Sequence, residues 1–283
     1  MATRSFTTER QRRLGTELRR MREAAGMSIQ EAADLLGTNR SHVTNTELAR
    51  FGVSPDRVRT LATHYSCPDT AYVEALAAMA GERHRGWWEE YRGHIATGGL
   101  DLAELEYYAT SLRVFTAMHV PGLLQTEEYA RAVIAETVPT WPAQELRRRL
   151  SHRMKRRDIL DRDEPPACTF VIHEAALRLQ FGGPDVTRTQ LKELIQSSLR
   201  QNVTVRVIPF SAGGLPLPGL TVMYASGYVP QLDTVQVDSA TSSEFLDAHA
   251  QLSNYRVLME RITRAALPVK ESREFIRSVA ERT

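Results

Sequence analysis

Apolar residues in the first eighty positions recur at steps of three and four, the period of a helix with one buried face. Leu14, Leu18, Met21 and Ala25 form the first such row, and Gly26 ends it. Further helices are predicted over 29–36 and 40–50, and two more begin at 54–55 and 68–69. The pattern therefore predicts a compact all-α unit of five helices over residues 1–80.

The pattern changes after the polar stretch at 81–86. Three predicted helices come first, at 102–118, 126–136 and 142–161. The period then shortens to two, which predicts strands at 168–173, 203–208, 220–225 and 234–237. A helix at 186–200 separates the first two strands, an order typical of a parallel pair with a crossover helix. Two helices, at 243–266 and 273–282, follow. We expect a multidomain protein in which a second domain, 87–283, is α/β, with helices preceding a mixed sheet.

Composition limits the class of protein. The 283 residues are 42% hydrophobic and 25% charged, which is ordinary for a globular protein with a full core. The net charge of +2 excludes a polycation, so any affinity for nucleic acid must come from local placement of charge. Two cysteines, Cys67 and Cys168, exclude a disulfide scaffold and favour a reducing cytoplasm. We find no membrane-spanning run and no secretory signal, and we expect a soluble, intracellular protein.

The segment 28–50 has the pattern of two helices joined by a tight turn. Ser28 and Glu31 form an S-x-x-E capping box, and Gly37 ends the first helix. Such a pair places its second helix in the major groove of DNA, while the amides that begin the first helix suit a phosphate. Arginine matches the acceptors of guanine, and asparagine matches the edge of adenine. The predicted DNA-contacting residues are Ser28, Gln30, Asn39, Arg40, Ser41, Thr44, Asn45 and Arg50, with Val43 facing inward.

A family resemblance accompanies this pattern. The stretch LRRMREAAGMSIQEAADLLGTNRSHVTNTELAR resembles the Xre (Cro/cI-like) helix-turn-helix regulators in its S-x-x-E-A-A core, its glycine turn and its Glu47. The resemblance implies a lambda-repressor-like domain and a structural ion pair between Arg22 and Glu47. Thr46 and Ala49 depart from the family, which usually has a hydrophobic residue and a glycine there. A small helical bundle that binds protein instead of DNA is the alternative.

The larger part of the chain carries a second resemblance. The phrases HVPGLLQTEEYARAVI, HEAALR, TQLKEL and NVTVRVIPFSAGG are similar to the C-terminal domain of actinobacterial WhiJ-like, antitoxin-like regulators of the Xre type. The similarity covers roughly 87–266. It implies a domain of mainly unknown function and a small BldB-like partner protein encoded nearby. His173 stands where that group commonly has an aspartate.

No catalytic or metal-binding constellation is apparent. The sequence H-E-A-A-L at 173–177 has Leu177 where a zincin has its second histidine, and the eight histidines are scattered. The β-α-β segment is similar to half of a phospholipase-D-like domain, but its H-x-K motif is missing. No strand is followed by a P-loop or a G-x-G-x-x-G motif. We expect no metal, no cofactor and no enzymatic activity.

The strongest charge feature is the run between Trp141 and Arg162, which has eight basic and three acidic residues. On a helix, Arg149, Arg153, Arg156 and Arg157 share a face. This face is either solvated and paired with acidic neighbours, or a second basic surface that contacts phosphates or an acidic partner. The aromatic residues from Trp87 to Tyr129 are core residues or the lining of a ligand pocket.

These patterns together predict a sequence-specific DNA-binding transcriptional regulator, cytoplasmic and associated with the nucleoid. We expect a homodimer on a short inverted repeat of double-stranded DNA, because two linked modules bind far more tightly than one. The C-terminal domain is expected to dimerise and to bind a small partner protein or a ligand, without membrane association. The alternative is an antitoxin-like protein that mainly binds a small protein encoded next to it. An enzyme with a DNA-binding appendage is a third hypothesis.

Overall fold

The computed structural model describes residues 6–82, 86–138, 140–215, 221–239 and 243–283. The chain divides into two compact units, with the boundary between Trp87 and Trp88. The first unit is entirely helical and the second contains a sheet. The five-helix region followed by an α/β region is the fold that the sequence predicts, and the prediction is confirmed.

Five helices form the first unit. They are α1 (Glu9–Ala24), α2 (Ile29–Leu35), α3 (Arg40–Glu47), α4 (Pro55–His64) and α5 (Thr70–Gly81). Each helix begins at a side chain whose oxygen accepts a hydrogen bond from the amide three residues later, which satisfies one amide that the helix leaves open. These caps are Thr8, Ser28, Asn39, Ser54 and Asp69. Local sequence thus fixes where every helix of this unit starts.

The second unit contains seven helices and six strands within its described residues. The helices are α6 (Thr97–Tyr108), α7 (Glu127–Ala135), α8 (Ala143–Lys155), α9 (Glu174–Arg178), α10 (Pro184–Ser197), α11 (His249–Ala265) and α12 (Val269–Arg282). The strands are β1 (Ser111–Thr116), β2 (Ala167–His173), β3 (Val203–Ile208), β4 (Val222–Ser226), β5 (Thr234–Asp238) and β6 (Ser243–Leu246). Their order is β3-β2-β1-β4-β5-β6. The first three strands are parallel and the others are antiparallel, so the sheet is mixed.

Both faces of this sheet are buried. On one face, side chains such as Leu112, Phe170 and Val205 pack with residues of α10 and α12. On the other face, Phe115 and Val171 pack with residues of α11. Burial on both faces places apolar residues on both sides of the central strands, as in the run from Phe170 to Ile172 of β2.

Three predicted helices are wrong in part. The helix predicted over 102–118 ends at Tyr108, and β1 at the centre of the sheet takes up 111–116, because it hydrogen-bonds with β2 on one side and β4 on the other. The helix predicted over 243–266 begins as β6, which pairs with β5. The helix predicted over 142–161 ends at Lys155, and a 3₁₀ turn covers Arg156–Leu160.

Two predicted boundaries fall partly outside the described residues, namely 83–85 in the polar stretch and Leu220 at the predicted start of β4. Of the helices that the structure describes, none combines the length and the apolar character needed to cross a membrane.

Candidate nucleic-acid interface

The helix pair α2–α3 is built from local capping. Ser28 Oγ accepts from the Glu31 amide at 3.2 Å, and Glu31 Oε2 accepts from the Ser28 amide at 2.7 Å. Gly37, with φ +59°, ends α2 in the left-handed conformation that glycine adopts without strain. Asn39 Oδ1 then accepts from the His42 amide at 2.8 Å and starts α3. The angle between the two helices is therefore set within fourteen residues of chain, from Ser28 to Ser41.

The inner face of the pair is apolar. Ala32 and Ala33 of α2 have no solvent exposure, and Val43 of α3 is 5% exposed. The prediction that Val43 faces inward is confirmed. Because Val43 points inward, the positions on either side of it on the helical wheel point outward. Asn39, Arg40 and Ser41 are exposed, and Thr44 and Asn45 are half-buried.

Two features of α1 hold α3 in place. The Arg22 guanidinium makes a double contact with the Glu47 carboxylate, Nε to Oε1 at 2.6 Å and Nη2 to Oε2 at 3.0 Å, and its Nη1 donates to the Met27 carbonyl. Hydrogen bonding to Glu47 raises the pKa of Arg22. Gly15 provides the second feature, because a Cβ there would lie 2.3 Å from the Glu47 carbonyl oxygen. The bare backbone of α1 thus lets the end of α3 approach closely.

The end of α3 is tighter than the sequence predicts. The helix stops at Glu47 and not at Arg50, and Ala49 lies in the left-handed region with φ +57°. The Arg50 amide donates to the Asn45 carbonyl at 2.8 Å, and the Ala49 amide donates to the Thr46 carbonyl. Ala49 therefore takes a left-handed conformation that glycine usually occupies at the end of a helix. The Thr46 hydroxyl donates a hydrogen bond to the His42 carbonyl oxygen, 2.9 Å away.

The structure separates the predicted contact residues into two sets. Arg40 and Ser41 lie on the exposed first turn of α3, and Arg40 makes no ion pair with any residue that the structure describes. Arg50 is exposed just past the helix, and its Nη1 lies 3.4 Å from Asn45 Oδ1. On α2, by contrast, the Ser28 hydroxyl accepts the capping hydrogen bond from the Glu31 amide. The side-chain amide of Gln30 donates to Asp34 Oδ1 at 2.7 Å. The side-chain contacts are thus concentrated on α3.

Arg57 is a basic residue of this region that the sequence interpretation missed. It lies in the first turn of α4, and its Nη2 is 3.4 Å from the Leu36 carbonyl in the turn between α2 and α3. Its position follows from the packing of α4, so no signal within 28–50 reveals it. Its charge lies beside the turn at which α3 begins.

Comparisons with known proteins follow the same division of the chain. Residues 13–76 match the model of a helix-turn-helix domain. Residues 100–278, more than half of the chain, match the model of a domain of unknown function, DUF5753. The chain belongs to the DUF5753 family. No curated protein and no solved structure matches it. The helix-turn-helix match, together with the geometry of α2 and α3, indicates a DNA-binding regulator.

The DUF5753 region includes the basic run, for which the sequence leaves two alternatives, a face paired with acidic neighbours or a second basic surface; the contacts of its arginines favour the first alternative. Arg156 makes a double contact with the buried Glu106 carboxylate at 2.6 and 2.8 Å, and its side chain is 13% exposed. Arg153 Nη1 donates to the Oε1 atom of Gln125, a fully buried residue, at 2.9 Å. The Arg149 guanidinium lies over the Trp141 ring at 3.4 Å. Arg157 pairs with Glu193 at 3.2 Å. These arginines turn toward the protein because the adjacent apolar row of α8 packs against α7.

Other predicted features of the DUF5753 region have structural partners. His173 Nδ1 accepts from the Ala175 amide and caps α9, and Glu174 accepts from the Phe210 amide at 2.7 Å. Trp88 and Tyr129 are buried, whereas Trp141 is half-buried. Within the described ranges, no group of three histidine, cysteine or acidic side chains is arranged to hold a metal ion. Both cysteines are free thiols.

Proposed function

We propose that the protein is a transcriptional regulator of the Xre type that binds a short inverted repeat as a homodimer. The observation that supports this most is the first turn of α3, where an arginine without an ion-pair partner among the described residues projects from a rigidly held helix. Arg40 would contact the acceptors of a guanine and Asn45 the edge of an adenine. Arg50 and Arg57 would contact phosphates beside them.

Dimerisation is part of the proposal for an energetic reason. Helix α3 has eight residues and offers few base contacts, each worth about 1–3 kcal/mol of discrimination. Two linked copies on neighbouring half-sites gain affinity without new contacts. We assign dimerisation, and the binding of a small partner protein or ligand, to the second unit. This unit, 88–283, contains the DUF5753 match and is called the DUF5753 unit below. We further propose a non-catalytic role in the cytoplasm, at the nucleoid.

The test is selection of binding sites from a random DNA library by the full chain and by Arg40→Ala. We expect the wild type to select an inverted repeat and Arg40→Ala to lose preference at one position of each half-site. Arg59→Ala is the matched control, because Arg59 is an arginine of the same unit that pairs with Glu74 on α5. Selection of no sequence by the wild type would overturn the proposal, as would the same preference in Arg40→Ala.

An antitoxin-like role is the second candidate. The observation that favours it is the exposure of large apolar side chains in the DUF5753 unit, among them Tyr228 at 72% and Phe210 and Val257 at 56% each. Contiguous patches of exposed apolar side chains are common where a protein partner binds, and these side chains are the candidates for such a patch. Co-purification of a small protein encoded next to this chain, with a BldB-like sequence, would support this role. Loss of that complex in Tyr228→Ser would identify the surface.

A further inference from the structure

The DUF5753 unit contains a cavity of about 270 Å³, and its lining residues are not the aromatic residues from Trp87 to Tyr129 that the sequence offers for a ligand pocket. It lies between α6, α7 and α8 on one side and strands β1, β4 and β5 on the other. Its apolar wall includes Leu102, Ile134 and Met223. A concave site with an apolar wall and a few polar groups is the usual form of a small-molecule site.

The charged groups of the cavity are not balanced. Three arginines line it, Arg149, Arg153 and Arg156, against two carboxylates, Glu106 and Asp238. Glu106 is taken up by Arg156, and Asp238 accepts hydrogen bonds from Gln236 and Ser243. Neither Arg149 nor Arg153 pairs with a carboxylate in the part of the chain that the structure describes. The three arginines and two carboxylates therefore give the lining of the cavity a net charge of +1.

The remaining titratable groups do not change this balance. Burial, together with the charges of Arg156, Arg153 and Arg149, lowers the pKa of His152 to about 3, and burial also lowers the pKa of His119. Both imidazoles are neutral near pH 7. Burial lowers the pKa of Arg153 to about 10, which still leaves it protonated. A buried charge without an opposite partner is costly, and an anion of opposite charge removes that cost.

The two unpaired arginines are placed to act together. They are four residues apart on α8, one turn of the helix, so their side chains are neighbours. The Arg149 Cζ atom lies 3.4 Å from the centre of the Trp141 ring. This cation–π contact restricts the orientation of the guanidinium group. Thr116 also lines the cavity, is 1% exposed, and has a hydroxyl without a hydrogen-bond partner among the described residues. A buried hydroxyl of this kind is usually satisfied by a ligand or by water.

We propose that this cavity is the effector site of the regulator and binds a small amphipathic monocarboxylate. As an effector site the assignment rests on the proposed function, whereas binding itself can be measured without DNA. The carboxylate lies between Arg149 and Arg153, whose planar guanidinium groups match it. Its apolar body packs against the wall that includes Met223. A phosphate monoester fits less well, because it carries nearly two negative charges at pH 7 against an excess of one.

The binding test uses three probes, octanoate, benzoate and indole-3-acetate, each compared with its neutral amide. Calorimetry on the full chain is expected to show at least one carboxylate binding about tenfold or more tightly than its amide. Arg149→Gln and Arg153→Gln are each expected to weaken that binding about tenfold or more. Arg147→Gln is the matched control, since Arg147 is exposed on the same helix, and it should bind as the wild type does.

Arg149→Lys keeps the positive charge and should bind the carboxylate more tightly than Arg149→Gln does. An unchanged circular dichroism spectrum would show that the variant is folded. The assignment fails if no carboxylate binds at millimolar concentration, if amides bind equally well, or if Arg147→Gln weakens binding as much as Arg149→Gln. Tight binding of inorganic phosphate in place of every carboxylate would also overturn it. Anisotropy of labelled DNA, measured separately, distinguishes the two proposals: carboxylate binding without any DNA binding would leave the cavity assigned and the regulator rejected.

Discussion

Helices α3 and α8 both carry arginines, but they use them in opposite ways. Helix α3 has a single arginine, and Arg40 is exposed on its first turn. Helix α8 has four arginines and a lysine, yet Arg149 and Arg153 line an internal cavity. The direction of a charged side chain is set by the apolar row beside it. In α8, Leu146, Leu150 and Met154 pack against α7 and bring the neighbouring arginines inward with them.

The supports of the two helices differ as well. Helix α3 is held by an ion pair and by a close backbone approach, so it is stiff and presents its outer face unchanged. Helix α8 instead borders a cavity of the second unit. The comparison therefore sets a helix fixed against its neighbour beside a helix that lines a cavity. The predictions below test it, in order of decreasing effect.

The largest effect is expected for Glu47→Ala. Its partner Arg22 has a side chain only 6% exposed, and a buried charge left without its partner costs about 3–5 kcal/mol. Urea unfolding should show this loss in the free energy of unfolding of the first unit. Glu74→Ala removes the other double-contact pair between helices of this unit, with the exposed Arg59, and should have a much smaller effect. Equal losses in the two variants would contradict the role given to Arg22 and Glu47.

Gly15→Ala is expected to have the next largest effect. The added methyl group would meet the backbone of Glu47, which cannot rotate away, so we expect a loss of about 1–3 kcal/mol together with weaker DNA binding. Gly98→Ala in α6 is the control from the other unit, since its Cβ would lie 3.6 Å from Ser243 Cβ, an ordinary contact. Thermal unfolding of both variants checks this. A stable Gly15→Ala with normal DNA binding would refute the close approach of α1 and α3.

The pH dependence of stability should report the burial of His152. Its pKa falls from 6.5 to about 3 on folding, so between these values the unfolded chain binds a proton that the folded chain does not. Stability is therefore full above pH 6.5 and falls as the pH drops, by roughly 1 kcal/mol between pH 7 and pH 5.5. His152→Gln should show a smaller decline, with the contribution of the buried His119 remaining, as judged from urea unfolding at the two pH values. An identical decline in the variant would mean that His152 is not buried as described.

The smallest effect concerns the dependence of DNA binding on salt. Arg50→Ala should reduce the slope of log K against log salt by about 0.9, the value for one phosphate contact. Arg157→Ala, in the basic run of the second unit, should leave the slope unchanged, because Arg157 pairs with Glu193. Fluorescence anisotropy at several salt concentrations measures both. A reduced slope in Arg157→Ala would favour the alternative in which the basic run is a second surface that contacts phosphates.

The sequence predicts most where structure is local. Ser28, Glu31 and Gly37 determine the helix pair within ten residues, and the predicted helices of the first unit are observed. Strand β1 was missed because it follows α6 after two residues, and because its alternation is confined to 111–114 and ends in consecutive buried residues. Its apolar residues Leu112 and Phe115 are also spaced as in a helix.

The candidate sites show the same limit. The exposed face of α3 follows from Val43 pointing inward, which the period of the helix predicts. The cavity does not follow from the sequence, because Arg149 lies on α8, Thr116 on β1 and Asp238 on β5. Only the sheet order brings these segments together. Three of the four arginines that indicated a basic surface, Arg149, Arg153 and Arg156, therefore line this cavity.

The early end of α3 has a consequence for the information that one copy of the protein can extract from DNA. Because Ala49 turns the chain after eight helical residues, the helix is about 12 Å long, the rise of three to four base pairs. A sequence of that length recurs by chance about once every 60 to 260 base pairs in a genome. A single copy would therefore be unable to address a unique promoter, and under the proposed dimerisation the second unit would set the length of the operator by joining two copies.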